Sequence, residues 1–270
     1  MIRFIGILFF LSLSGNQQVS AQENEIAQKE KELVQIYSKL TSSHYGDFDT
    51  LSYFSNLFSE KLKHLLSGNK NTLQYPFKAL AGEGMPLSIG SICNITTSKD
   101  GLFRIYSWDT QTGGTMHFFN AIYQYKTGGE VFTTLCNLDE GDPGCYYSKI
   151  FTLKAKKKTY YLGIANGIYS TKDVSQSIQA FELTNTGVND SIQLMKTPEG
   201  MKNSLDLAYD FFSVYDNSER PIAVIKYNEK KKIISISMTN EKGEIVSGNK
   251  FYRFNGTYFE EVKTTSKSKK

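Results

Sequence analysis

The chain has 270 residues, of which 40% are hydrophobic and 21% charged, with five prolines and a formal net charge of +4. That composition excludes a disordered chain, a collagen-like repeat and a small disulfide-held scaffold. So weak a basic excess does not point to nucleic acid, and the length suits one large β domain with a small helical appendage.

Residues 1–21 read as a secretory signal peptide. Arg3 supplies the positive start, Ile5 to Leu13 the apolar stretch, and Val19-Ser20-Ala21 the small residues of a cleavage site. The apolar run is shorter than the roughly 20 residues a membrane span needs, and no later stretch is longer, so the chain is not expected to be an integral membrane protein. Export to a periplasmic or extracellular compartment follows, and an oxidising compartment favours disulfides. Cys136 and Cys145 flank the turn-rich acidic loop Asn137 to Gly144, so these two cysteines are the predicted disulfide, with Cys93 left as a buried thiol.

Residues 22–85 form a predicted helical head. Ile26, Leu33, Tyr37 and Leu40 recur at near-helical spacing over 23–41. Leu51, Phe54, Phe58, Leu62 and Leu65 make a second stripe over 49–66, with Asp49 as the expected N-cap and Gly68 as the stop. Ser43-His44-Tyr45-Gly46 closes a helical hairpin.

From residue 86 to residue 262 the pattern becomes an antiparallel β domain. Short runs rich in Ile, Thr, Tyr and Phe alternate with turn clusters such as Lys99-Asp100-Gly101 and Thr127-Gly128-Gly129. About a dozen strands result, among them 91–97, 102–108, 115–126, 131–136, 145–153, 160–165, 207–214 and 233–238. Their short connections require antiparallel neighbours, and 131–136 is expected to pair with 145–153 across the acidic loop. The fold class is α+β, mostly antiparallel β: a helical hairpin followed by a β-meander body built as a sandwich, a barrel or a propeller-like array. Residues 263–270 read as a disordered basic tail.

The most informative stretch runs from Asp100 to His117 and contains the only tryptophan. Strand alternation puts Leu102, Arg104, Tyr106 and Trp108 on one face and Phe103, Ile105 and Ser107 on the other. Arg104, Tyr106, Trp108, Asp109 and His117 are the candidate ligand-binding residues, with Gly113-Gly114 allowing a tight turn or a close approach. The competing reading makes Trp108 a core plug and Asp109 a turn clamp.

Tyr75-Pro76-Phe77, Ser98-Lys99-Asp100-Gly101, Arg104-Ile105-Tyr106-Ser107-Trp108-Asp109 with Gly113-Gly114-Thr115, and the closing Tyr252-Arg253-Phe254-Asn255-Gly256-Thr257-Tyr258-Phe259 resemble a family of uncharacterised secreted bacterial proteins. The resemblance implies export and a fold; the family has no assigned activity.

Motifs for catalysis are sparse. Ser107, His117 and Asp109 hold the residue types of a triad without a Gly-x-Ser-x-Gly elbow. No paired His or Cys motif marks a metal, no phosphate-binding glycine loop precedes a helix, and no cofactor is expected. Asp139-Glu140-Gly141-Asp142 lacks the alternation of a calcium loop, and the lysine runs at 154–158 and 230–232 sit at turns. The sequence therefore points to a secreted or periplasmic, non-enzymatic, β-rich protein that binds a protein or a glycan. The alternatives are a hydrolase using carboxylates in a groove of the β domain, and a structural envelope-associated protein.

Overall fold

A computed structural model describes residues 5–43, 47–83, 91–156, 158–218 and 220–262, with side chains described from Ala21 onward. The tail 263–270 and the hairpin tip 44–46 lie outside the described residues. The chain divides into two compact units, Met1–Ile92 and Cys93–Lys270.

The first unit holds α1 (Ile5–Ser42) and α2 (Phe48–Gly68), followed by a 3-10 turn over Lys70–Leu73. The expected stripes are buried, with Ile26, Leu33, Tyr37 and Leu40 of α1 and Leu51, Phe58, Leu62 and Leu65 of α2, except that Phe54 is only half-buried. Tyr37 meets Phe58 edge to face, with ring centroids 5.4 Å apart. The cap of α2 is Asp47, not Asp49; its carboxylate accepts the Thr50 N–H at 3.1 Å, which places Asp49 in the first turn. Glu30 is buried because its partners are built in: Leu80 N–H donates to it at 3.0 Å and the Tyr75 hydroxyl at 3.2 Å. No helix among the described residues is long and apolar enough to cross a membrane.

The second unit contains three sheets. Sheet I is a meander of β1 (Asn94–Thr97), β2 (Phe103–Asp109), β3 (Phe119–Thr127) and β4 (Glu130–Leu135). Sheet II takes the order β11-β7-β6-β5 from β5 (Tyr146–Ala155), β6 (Lys158–Ile168), β7 (Asp173–Thr184) and β11 (Ser204–Asp210), with the short β8 (Gly187–Asn189) paired to β7. Sheet III takes the order β10-β9-β15-β14-β13-β12 from β9 (Met195–Thr197), β10 (Gly200–Lys202), β12 (Ile225–Asn228), β13 (Ile233–Thr239), β14 (Ile245–Phe254) and β15 (Phe259–Glu261).

Two cores make this a three-layered sandwich with sheet II in the middle. One joins Phe103, Ile105, Tyr123 and Tyr125 of sheet I to Tyr147, Tyr161, Ala165 and Phe181 of sheet II. The other joins Leu153, Leu162, Ile164, Ile178 and Ala180 of sheet II to Met195, Ile225, Ile234, Tyr252, Phe254 and Phe259 of sheet III. Because sheet II is covered on both faces, its central strand β6 is buried continuously from Tyr161 to Gly167 instead of alternating. A bulge between Tyr147 and Lys149 of β5 keeps both Tyr147 and Ile150 in the sheet I–sheet II core. Gln176 crosses the second interface with every bond made: its amide donates to Asn166 Oδ1 and Ile222 O, both at 2.8 Å, and accepts Ile225 N–H at 2.7 Å.

Four expectations are corrected. Residues 131–136 do not pair with 145–153: β4 pairs with β3 and β5 with β6, so the acidic loop crosses between two sheets instead of capping a hairpin. β15 lies parallel to β9, Phe259 opposite Met195, because a long excursion through β10–β14 separates them in sequence. The run 207–214 leaves the sheet at Asp210, whose carboxylate caps a 3-10 turn over Phe211–Val214. Within 115–126 the ladder begins only at Phe119.

Candidate functional site

Strand β2 carries the residues singled out from sequence. Arg104, Tyr106 and Trp108 share one face as alternation requires, and all three are buried, Trp108 completely. The Tyr106 hydroxyl donates to Gln124 Oε1 at 2.9 Å, and the Arg104 guanidinium lies 5.5 Å from the centre of the Tyr106 ring. Burial pushes the Tyr106 hydroxyl and the Cys93 thiol far above their ordinary ranges, so both stay neutral.

Asp109 and His117 face each other across the loop that joins β2 to β3. His117 Nδ1 and Asp109 Oδ2 are 2.5 Å apart, and the other oxygen of Asp109 accepts Gln111 N–H at 2.8 Å. His117 is tied to sheet II by its N–H bond to Ile168 O at 3.0 Å, and its ring stacks on Phe119. The left-handed residue in this loop is Gln111 (φ 58°). Gly113 is needed for a different reason: a Cβ there would lie 2.0 Å from Met116 O.

Beside this pair, at the end of β6, sheets I and II part to leave a cleft of about 540 Å³. Tyr123 of β3 and Tyr147 of β5 form its inner wall, Gly167 and Tyr169 the end of β6, Ser175, Ser177 and Gln179 one face of β7, and Asp142, Asp190 and Asp206 its carboxylates. Among the described residues no lysine, arginine or histidine lines it. Gly167 keeps the floor open, since a Cβ there would press on Ser175 Oγ at 2.8 Å and the Tyr169 hydroxyl at 3.0 Å.

The wall is wired in one direction. Gln179 Nε2 donates to Asp190 O at 3.4 Å, which turns Oε1 toward Tyr147 to accept its hydroxyl proton at 2.7 Å. With that proton committed, Tyr147 accepts from Tyr123 at 3.4 Å, and Tyr123 accepts from the Cys136 thiol at 3.2 Å. Desolvation pushes both tyrosine hydroxyls well above their ordinary range, and it raises the Cys136 thiol as well. The Cys145 thiol is pushed up to about 12, again chiefly by burial. A wall of protonated thiols and phenols offers hydrogen bonds to a ligand.

Cys136 and Cys145 are free thiols, contrary to the disulfide expected from their spacing. The loop between them crosses from sheet I to sheet II. Cys136 continues sheet I, its N–H bonded to Ala121 O at 2.8 Å, whereas Cys145 leads into β5 of sheet II. Each thiol engages a tyrosine hydroxyl of its own sheet, Cys136 that of Tyr123 and Cys145 that of Tyr147.

Of the residues chosen from sequence, Asp109 and His117 reach the shoulder of the cleft through Phe119, which lines it, while Arg104, Tyr106 and Trp108 occupy the opposite face of β2. Tyr147, Gln179, Asp190 and Asp206 were missed. They come from four separated segments and share no local signal; the continuous apolar run of the neighbouring strand β6 announces only a sheet covered on both sides. Comparison with family models, curated proteins and solved structures returns no match for this chain.

Proposed function

We propose that this chain is an exported, non-enzymatic binding protein whose inter-sheet cleft takes the end of a neutral glycan. The observation that carries the reading is the lining: tyrosine hydroxyls held neutral, Ser175, Ser177 and Gln179, three carboxylates and, among the described residues, no cationic side chain. Carboxylates accept hydroxyl protons and repel anions, so a polyhydroxylated, uncharged ligand satisfies the walls where a phosphate or an acidic sugar does not. Tyr169, 41% exposed, and Phe119 supply apolar ring surface beside those polar groups, the usual make-up of a ligand cleft. The start of the sequence, with Arg3, an apolar run and Val19-Ser20-Ala21, supports export.

Titration calorimetry with neutral oligosaccharides tests the reading. Tyr169→Ala and Asp190→Asn are each expected to weaken binding about tenfold while leaving the melting temperature unchanged, since Gln179 and Asn203 hold Asp190 by its main-chain carbonyl. Absence of heat with every neutral sugar overturns it. Turnover of a sugar that Asp190→Asn abolishes replaces binding with hydrolysis by carboxylates.

A further inference from the structure

The end of the β body opposite the cleft brings together lysines that are far apart in sequence. β5 and β6 meet at a tip bearing Lys154, Lys156 and Lys158, and β12 and β13 at a tip bearing Lys230, Lys231 and Lys232. The tips touch: Lys232 Nζ donates to Lys154 O at 2.8 Å. Lys232 is held for that reach by a left-handed backbone (φ 50°) and by the bond from Phe254 N–H to its carbonyl at 3.0 Å. The other five lysines are exposed. Glu182 is already paired with Lys158 at 2.7 Å, Glu229 sits on the β12–β13 tip, and Asp100 and Glu130 flank Leu102 and Lys126. Next to Lys158 lies a shallow hollow shared with Lys126 and Leu102, and Leu102 is 38% exposed.

We propose that this lysine-tipped end docks on an anionic phospholipid bilayer, with Leu102 at the lipid boundary. Clusters of four to eight basic side chains are attracted to anionic lipid surfaces, and an apolar side chain beside them adds burial at the headgroup level. The tips are convex turns, which present charge to a plane; a polysaccharide chain needs a groove to track. Lysine, a compact charge without the fork that grips a single phosphate, suits a diffuse surface potential.

Vesicle co-sedimentation of the full chain decides the matter. It is expected to partition onto phosphatidylcholine vesicles containing ~30% phosphatidylglycerol, to stay in solution with phosphatidylcholine alone, and to be released at ~0.5 M salt. Neutralising Lys154, Lys156 and Lys231 to Gln should lower partitioning about fivefold per lysine, whereas Lys172→Gln, at the β6–β7 turn at the other end of β6, should leave it unchanged. Leu102→Ser should lower partitioning at low salt without changing its salt dependence. Thermal melts of each variant confirm that the fold is kept. Equal sedimentation with neutral vesicles, no partitioning onto anionic ones at low salt, or retention on heparin without any vesicle binding each overturns the proposal.

Discussion

The strands β5, β6 and β7 run between two very different ends. At one, sheets I and II separate, and the gap is lined by tyrosine hydroxyls, two thiols, amides and three aspartates. At the other, β5 and β6 meet in a tight turn carrying exposed lysines. Between the ends the filling is continuous and aromatic: Phe181 packs against Phe103, Tyr123 and Tyr147, with centroids 5.4, 5.6 and 5.9 Å away. The difference shows how a sandwich separates two kinds of recognition. A cleft forms where layers diverge and polar groups can be buried with partners, whereas a charged surface forms where strands turn and solvation costs nothing.

The comparison is broken most severely at its centre. Phe181→Ala removes the ring shared by both sheets and is expected to cost about 3–5 kcal/mol, read as a large loss in the denaturant midpoint. A loss under about 1 kcal/mol would mean that the two layers are not held by this cluster.

Alkaline pH loads the buried thiols and phenols, those of the cleft wall among them. Cys145 is held near 12 and Tyr123 and Tyr147 well above their ordinary values, so above the unfolded values the unfolded chain releases protons that the folded chain keeps. Each such group therefore contributes stability that is whole below its unfolded pKa and is lost as pH rises toward its folded one. The loss is about 1.4 kcal/mol per pH unit per group. Melting temperature should hold level to about pH 8.5, where thiols of unfolded chains begin to ionise, and then fall steeply. Cys145→Ala should flatten the first part of that fall, and an unchanged slope in this variant would count against the buried thiol.

Tyr147→Phe removes one hydroxyl from the directional chain and strands Gln179 Oε1 and Tyr123, at a cost of about 1–3 kcal/mol. A double-mutant cycle with Gln179→Leu should recover part of that cost, because both unmatched partners are then gone; strict additivity would show that the two side chains are not coupled. The smallest change is expected at the tips. Lys232→Ala gives up one exposed bond to Lys154 O and should shift stability by less than about 0.5 kcal/mol. A larger shift would mean that the two tips brace the sandwich as well as carrying charge.

Much of this architecture is legible in the amino-acid sequence because it is local. The two helical stripes, the change to short β runs after the head, the Asp100-Gly101 turn and the alternation that puts Arg104, Tyr106 and Trp108 on one face all follow from periodicity and turn chemistry over a few residues. A helical hairpin with a mostly antiparallel β body is therefore what the residues themselves require.

Only the tertiary structure decided the rest, and each case has the same physical cause. The loop between Cys136 and Cys145 joins two sheets instead of two neighbouring strands, and both cysteines are free thiols. The parallel meeting of β9 with β15 closes a long excursion of the chain. The cleft gathers Tyr123, Tyr147, Gln179, Asp190 and Asp206 from separate strands, and the lysine tips meet through one bond between residues 78 positions apart. Non-local pairing is set by the fit of whole layers, where loop closure adds little free energy per extra residue of separation, so spacing along the chain carries almost no record of it.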